Sequence, residues 1–161
     1  MPAEIPTPAV AAAWIALNLC PTEDLPLWAA HWLAHGEDGE HLRRLAGLSR
    51  SEPREIHDVQ QLALADCRAA VPESPVAAAK LAFDYVARTF VHGHLTEREV
   101  LAQVDRIVAG SGTAADAIRM PLGQTWLLDE EWDQGWGRTE TQIKETIQAA
   151  CQDQLAAQPA T

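Results

Sequence analysis

Residues 75–90 read PVAAAKLAFDYVARTF, and this stretch decides the fold. At about 100° per residue, Ala79, Ala82, Phe83, Val86 and Phe90 share one stripe, and Leu81 and Tyr85 widen the apolar sector. Lys80, Asp84 and Arg88 form the one clear polar edge at i, i+4 and i+8. That spacing permits a short ion-pair ladder stabilising by about 0.3 kcal/mol per pair. A helix with so little polar surface belongs at the centre of a bundle, with other helices on most of its sides.

The rest of the composition agrees. A chain of 161 residues fits one domain and can bury a proper core. Hydrophobic residues make up 47% and charged residues 22%, the balance of a soluble globular protein. Alanine supplies much of the apolar content, strand formers are thin, and period-2 alternation is hard to find. The expectation is an all-α bundle of six to eight helices spanning 1–161 as a single domain, frayed over 1–7 and 158–161.

Read in order, the chain marks its helix boundaries. Thr7-Pro8 is a helix start, with Thr as N-cap and Pro at the first helical position. Another helix runs from near Asp24 to His35 and stops at Gly36. Asp38 is placed to cap a short helix carrying Leu42, Leu45 and Leu48, and Ser51 opens the next one. After the central helix the chain turns through His92-Gly93-His94. Thr96-Glu97-Arg98-Glu99 and Thr139-Glu140-Thr141-Gln142 are capping boxes, and Gly110, Pro121 and Gly123 break the stretch between them.

Acidic residues number 23 against 12 Lys and Arg, a formal charge of −11. Such a field repels phosphate backbones, which argues against direct nucleic-acid binding, and attracts a basic partner. Cys20, Cys67 and Cys151 form no C-x-x-C pattern and sit in apolar helical contexts, so they read as reduced packing thiols of a cytoplasmic protein. The first residues lack a positively charged start, and Glu4 and early prolines argue against a signal peptide. No apolar run is long enough for a membrane span.

Several clusters are candidates for chemistry. His31 and His35, at i and i+4, have the spacing that lets two imidazoles reach one divalent metal such as zinc. Trp32 and Leu33 stand where the zinc-protease pattern needs its Glu, and a third ligand would come from His41, Glu40 or Asp38, or from the His92/His94 pair. The bland reading is two amphipathic residues beside the Trp28/Trp32 face, with Gly93 alone accounting for the second pair. Arg43, Arg44, Arg50 and Arg54 make a local positive patch. The most unusual stretch is 124–138, QTWLLDEEWDQGWGR. Here Trp126, Trp132 and Trp136 interleave with Asp129, Glu130, Glu131 and Asp133. Tryptophans are enriched at binding hot spots, and carboxylates around them suit a basic protein partner. The alternative is that the rings anchor the segment to the core while the acids face water. Asp129 and Asp133, one turn apart, also have the spacing of a carboxylate pair. Nucleotide-binding glycine motifs and the G-x-S-x-G elbow are absent.

The segment WAAHWLAHGEDGEHLRRLAGLSR, followed by the helix after Ser51 and by LAFDYVARTFVHGHLTEREVLAQVDRIV, resembles small uncharacterised helical proteins of actinobacteria. The likeness covers roughly residues 25 to 110. It implies an all-α fold and brings no activity or site residues with it. The functional expectation is therefore a non-enzymatic acidic interaction module around Trp126–Trp136, in its most concrete form an immunity or inhibitor protein. The alternative is a metal-binding protein or metal-dependent enzyme using His31 and His35, and a homodimer is also compatible with the sequence.

Overall fold

The computed structural model describes residues 4–157. Among them the chain forms nine α-helices, eight of seven residues or more, and no strand. The all-α expectation holds. Contacts group the chain into two compact units, Glu4–Glu73 and Ser74 onward.

The first unit contains α1 (Pro8–Ala16), a 3₁₀ turn (Thr22–Asp24), α2 (Leu25–Ala34), α3 (Glu40–Ala46) and α4 (Pro53–Asp66). Its core is Leu25, Trp28, Trp32, Leu42, Leu45, Ile56, Val59 and Leu64 with interleaved alanines. Trp14 and Trp28 meet with ring centroids 5.8 Å apart, tilted by 57°, a favoured aromatic geometry. Residues 5–7, expected to fray, are tied down. Ile5 packs on the core, the Pro6 carbonyl accepts the Trp32 indole N–H at 2.9 Å, and the Thr7 hydroxyl caps α1 through Val10 N–H. The expected fraying of 1–3 and 158–161 lies outside the described residues.

The helix after Gly36 corrects two local expectations. α2 closes as a Schellman motif. Glu37 N–H reaches the Trp32 carbonyl and Gly36 N–H the Leu33 carbonyl, with Gly36 at φ +104°. The same pairing ends α1 at Asn18 and α4 at Arg68, both at φ +58°. Asp38, however, does not cap α3; it pairs with Arg43. The cap comes from Asp66 at the far end of α4, whose Oδ2 accepts the backbone N–H of His41 at 2.8 Å and of Leu42 at 3.0 Å. Gly39 makes room for it, since a Cβ there would lie 2.3 Å from the Asp66 carboxyl carbon. Nor does Ser51 open α4. The helix starts at Pro53, Glu52 folds back onto Ser49 N–H, and Ser51 pairs with the Ser49 hydroxyl.

These amide hydrogen bonds, Leu42's first and then His41's, hold the Asp66 carboxyl below its ordinary value of 3.8; partial burial opposes them, and the His41 side chain adds to them. A carboxylate with a depressed folded pKa gives stability that is present above 3.8 and lost as pH falls through the lowered value. The stability gap between the native chain and Asp66→Asn, measured by urea unfolding, should therefore shrink between about pH 5 and about pH 2. A gap constant across that range would mean the carboxylate charge is not what caps α3.

The second unit contains α5 (Pro75–Val91), α6 (Glu97–Gly110), α7 (Ala115–Ile118), a 3₁₀ turn (Gly123–Thr125), α8 (Leu128–Gln134) and α9 (Glu140–Ala156). α5 packs against α6, α7 and α9, as the sparse polar edge of 75–90 requires. Ala78, Ala79, Ala82, Phe83, Val86 and Ala87 are buried. Ser74 caps its start through Ala77 N–H at 3.0 Å, and Gly93, at φ +81°, completes a Schellman turn into α6. Both expected capping boxes form, Thr96 with Glu99 and Thr139 with Gln142.

One polar residue of α5 is deeper than its spacing suggests. Asp84 is 5% exposed. Lys80 meets it at 2.8 Å, but the expected continuation to Arg88 is replaced by Gln154 of α9, whose Nε2 donates to the other carboxylate oxygen at 2.8 Å. Gln154 Oε1 in turn accepts Leu122 N–H at 3.2 Å. A buried polar chain thus links α5, α9 and the connector ahead of α8.

Candidate functional site

α8 and the residues flanking it carry the Trp-acid cluster, and α6 holds its first part. Arg98, Ala102 and Asp105 lie at i, i+4 and i+7 on α6, one face of a helix. Arg98 Nη1 donates to Asp129 Oδ1 at 3.0 Å and to Asp133 Oδ1 at 2.6 Å. Its guanidinium carbon stands 4.1 Å from the centroid of the Trp132 ring, within cation–π range. The hydrogen bond to Asp133, ahead of the charges of both carboxylates, raises the arginine above its ordinary pKa despite some burial. Asp105 accepts the Trp126 indole N–H at 3.3 Å. Asp129 and Asp133 are therefore partners of one arginine.

The far end of α8 is organised differently. Glu131 is largely buried, 13% exposed in its side chain, and its two oxygens take Arg138 twice. The backbone N–H donates to Oε1 at 2.6 Å and Nη1 to Oε2 at 3.0 Å. Gly135 and Gly137 adopt φ +69° and +81°, and a Cβ on Gly137 would stand 2.5 Å from Glu131 Oε1. Both glycines are needed to fold the turn over that carboxylate. Trp136 sits on the outside of this turn, 60% exposed, with its indole N–H donated to Gln134 Oε1. Of the other tryptophans, Trp28 and Trp32 are buried and Trp14, Trp126 and Trp132 half-buried. Glu130 is exposed.

The seven residues singled out at 126–136 thus split into two groups. Asp129, Asp133, Trp132 and Trp126 dock α8 onto α6, and Glu131 shapes the turn. Trp136 and Glu130 face solvent. Arg98 and Asp105, which complete the docking, carry no marker in the sequence beyond their common helix face.

The histidines are less assembled. The His31 and His35 rings stack with centroids 4.0 Å apart, and His35 Nδ1 is 2.8 Å from the His31 carbonyl oxygen. Among the described residues no group of three or more His, Cys, Asp or Glu is placed to hold a metal. His41, one of the expected third ligands, lies beside Asp66, Nδ1 to Oδ1 3.6 Å. In the basic patch, Arg43 pairs with Asp38 and Arg50 with Asp24.

All three cysteines are free thiols. Burial pushes Cys20 and Cys151 up to about 12 and Cys67 to about 11, with nearby Glu23 and Asp24 adding at Cys20, and Glu37 and Asp66 at Cys67. Burial thus favours the thiol over the thiolate form of all three. An open cleft of about 420 Å³ runs along α9, lined by Arg138, Gln142, Glu145, Thr146 and Ala149. No helix among the described residues is long and apolar enough to cross a membrane.

No protein-family model, curated protein or solved structure matches this chain.

Proposed function

We propose that this chain is a non-enzymatic interaction protein that captures a basic protein partner, with Trp136 as its anchor. One observation carries the reading. A tryptophan 60% exposed is held on a turn that two glycines and a doubly engaged Glu131 fix in place. A large ring offered on a preorganised turn loses little side-chain freedom when it is covered, the property that makes tryptophan a hot-spot residue. The charge of −11 sets the sign of the partner and speeds its approach. The free cysteines suit a reducing compartment such as the cytoplasm. An inhibitor or immunity protein that neutralises a basic enzyme by covering it is the most concrete form of this reading. The metal-binding alternative has narrower support, since the stacked His31 and His35 gain no third ligand among the described residues.

Trp136 is also the clean probe, because replacing Trp132 would undock α8 as well as remove a contact. A photo-crosslinking amino acid at position 136, expressed in the native host, should give one dominant adduct with a basic protein. Trp136→Ala should abolish co-purification of that protein while changing stability by no more than about 0.5 kcal/mol. Absence of an adduct, or capture that survives Trp136→Ala, would remove this surface from the function.

A further inference from the structure

Resting on that reading, we infer that the partner engages Trp136 with an arginine side chain laid flat on the indole. The ring's only hydrogen-bond donor is already used, since the N–H is given to Gln134 Oε1. What Trp136 has left to offer is its π face, which attracts cations and planar groups. The chain shows which group this segment accepts. Four positions earlier in the sequence, on α8, the guanidinium of Arg98 lies 4.1 Å from the Trp132 centroid while its Nη1 reaches Asp129 and Asp133. Trp136 repeats that ring in the same run of acids, with Glu130 exposed on the helix leading to it.

The nearest cation in sequence does not fill the place. Arg138 is held by Glu131 through its backbone and its side chain, and among the described residues Arg98 on Trp132 is the cation–π contact observed. A lysine would meet the charge requirement, but its compact, strongly hydrated ammonium neither stacks nor gives up water as readily. Stacking therefore selects arginine, and the acidic field sets only the approach.

The probes are three hexapeptides, of arginine, of lysine and of glutamate, titrated into the full-length protein at fixed ionic strength. The readout is the indole N–H resonance of Trp136 in nitrogen–proton correlation spectra, assigned by its loss in Trp136→Phe. The arginine peptide should shift that resonance saturably, and the lysine peptide should bind about two- to five-fold more weakly. The glutamate peptide should leave it unmoved. Trp136→Leu, followed through the backbone amide resonances of Gly135 and Gly137, should weaken the arginine peptide by a similar factor while leaving the chain folded. Equal shifts from arginine and lysine, or arginine-induced shifts confined to other indoles, would overturn the stacking. If the photo-crosslink at position 136 nevertheless forms with a basic protein, the interaction reading stands and only the arginine contact falls. If neither occurs, both fall.

Discussion

Replacing Lys80 with methionine is expected to destabilise the chain by about 3 kcal/mol, because it strands a buried carboxylate. Asp84 is 5% exposed, and its two oxygens are taken by Lys80 at 2.8 Å and by Gln154 at 2.8 Å. Methionine keeps most of the lysine stem and so isolates the loss of the ammonium. The partner left behind is an anion with a single neutral donor in a nearly dry site, where an uncompensated charge is costly. The reverse change, Asp84→Leu, is milder in this respect, since the Lys80 side chain is 33% exposed and its ammonium can turn toward water. The double variant Lys80→Met/Asp84→Leu should recover much of the loss, as apolar pairs often match buried ion pairs in stability. Urea unfolding of the three variants, followed by circular dichroism, decides the matter. A Lys80→Met loss below about 1 kcal/mol would show the pair acting as a surface ion pair.

Asp84 also shows how far spacing alone can be read. The i, i+4 relation to Lys80 is legible, and the ion pair forms. What spacing cannot supply is that Asp84 lies under α9, where Gln154, seventy positions away, claims its other oxygen. Local signals fare well for the same reason. A capping box or a Schellman glycine satisfies backbone groups within a few residues, so Thr96, Thr139, Gly36 and Gly93 behave as read. Asp38 fails because a competitor from outside the local window wins, and Ser51 because its immediate neighbours pair differently. α3 takes its cap from Asp66, and Glu52 folds back on Ser49.

The Trp-acid stretch divides on the same line. Its composition announces a cation-binding segment, and it does bind one, but the cation is Arg98 of the same chain. Whether a carboxylate is answered from within or left for a partner depends on which helix packs beside it, and α8 on α6 is a pairing no periodicity specifies. The signal that survives is Trp136, whose Gly-Trp-Gly setting removes it from any helix face and leaves it outside the docked set.

Gly123→Ala is the other change expected to cost about 3 kcal/mol, the upper range for overpacking, because its obstacle is backbone. Gly123 is buried in the turn between α7 and α8. A Cβ there would stand 2.1 Å from the Ala117 carbonyl oxygen and 2.9 Å from the Ile118 Cα. Neither atom can swing aside as a side chain would, so the connector must lift from α7. That connector is held to α9 by Leu122 N–H donating to Gln154 Oε1 at 3.2 Å, and is braced internally by the Thr125 hydroxyl donating to the Leu122 carbonyl at 2.7 Å. Lifting it therefore strains the bonds that lead into Trp126 and α8. Gly112→Ala is the control. Its φ is +72° and nothing lies within 4 Å of the added carbon, so it should cost only the left-handed penalty of about 1 kcal/mol. In urea titrations Gly123→Ala should unfold well before Gly112→Ala, and its folded state should show red-shifted tryptophan emission as Trp126 and Trp132 gain water. Equal midpoints would mean that the α7 backbone yields to the methyl group, and that the path into α8 is set by Leu122 and Thr125 rather than by the close approach at Gly123.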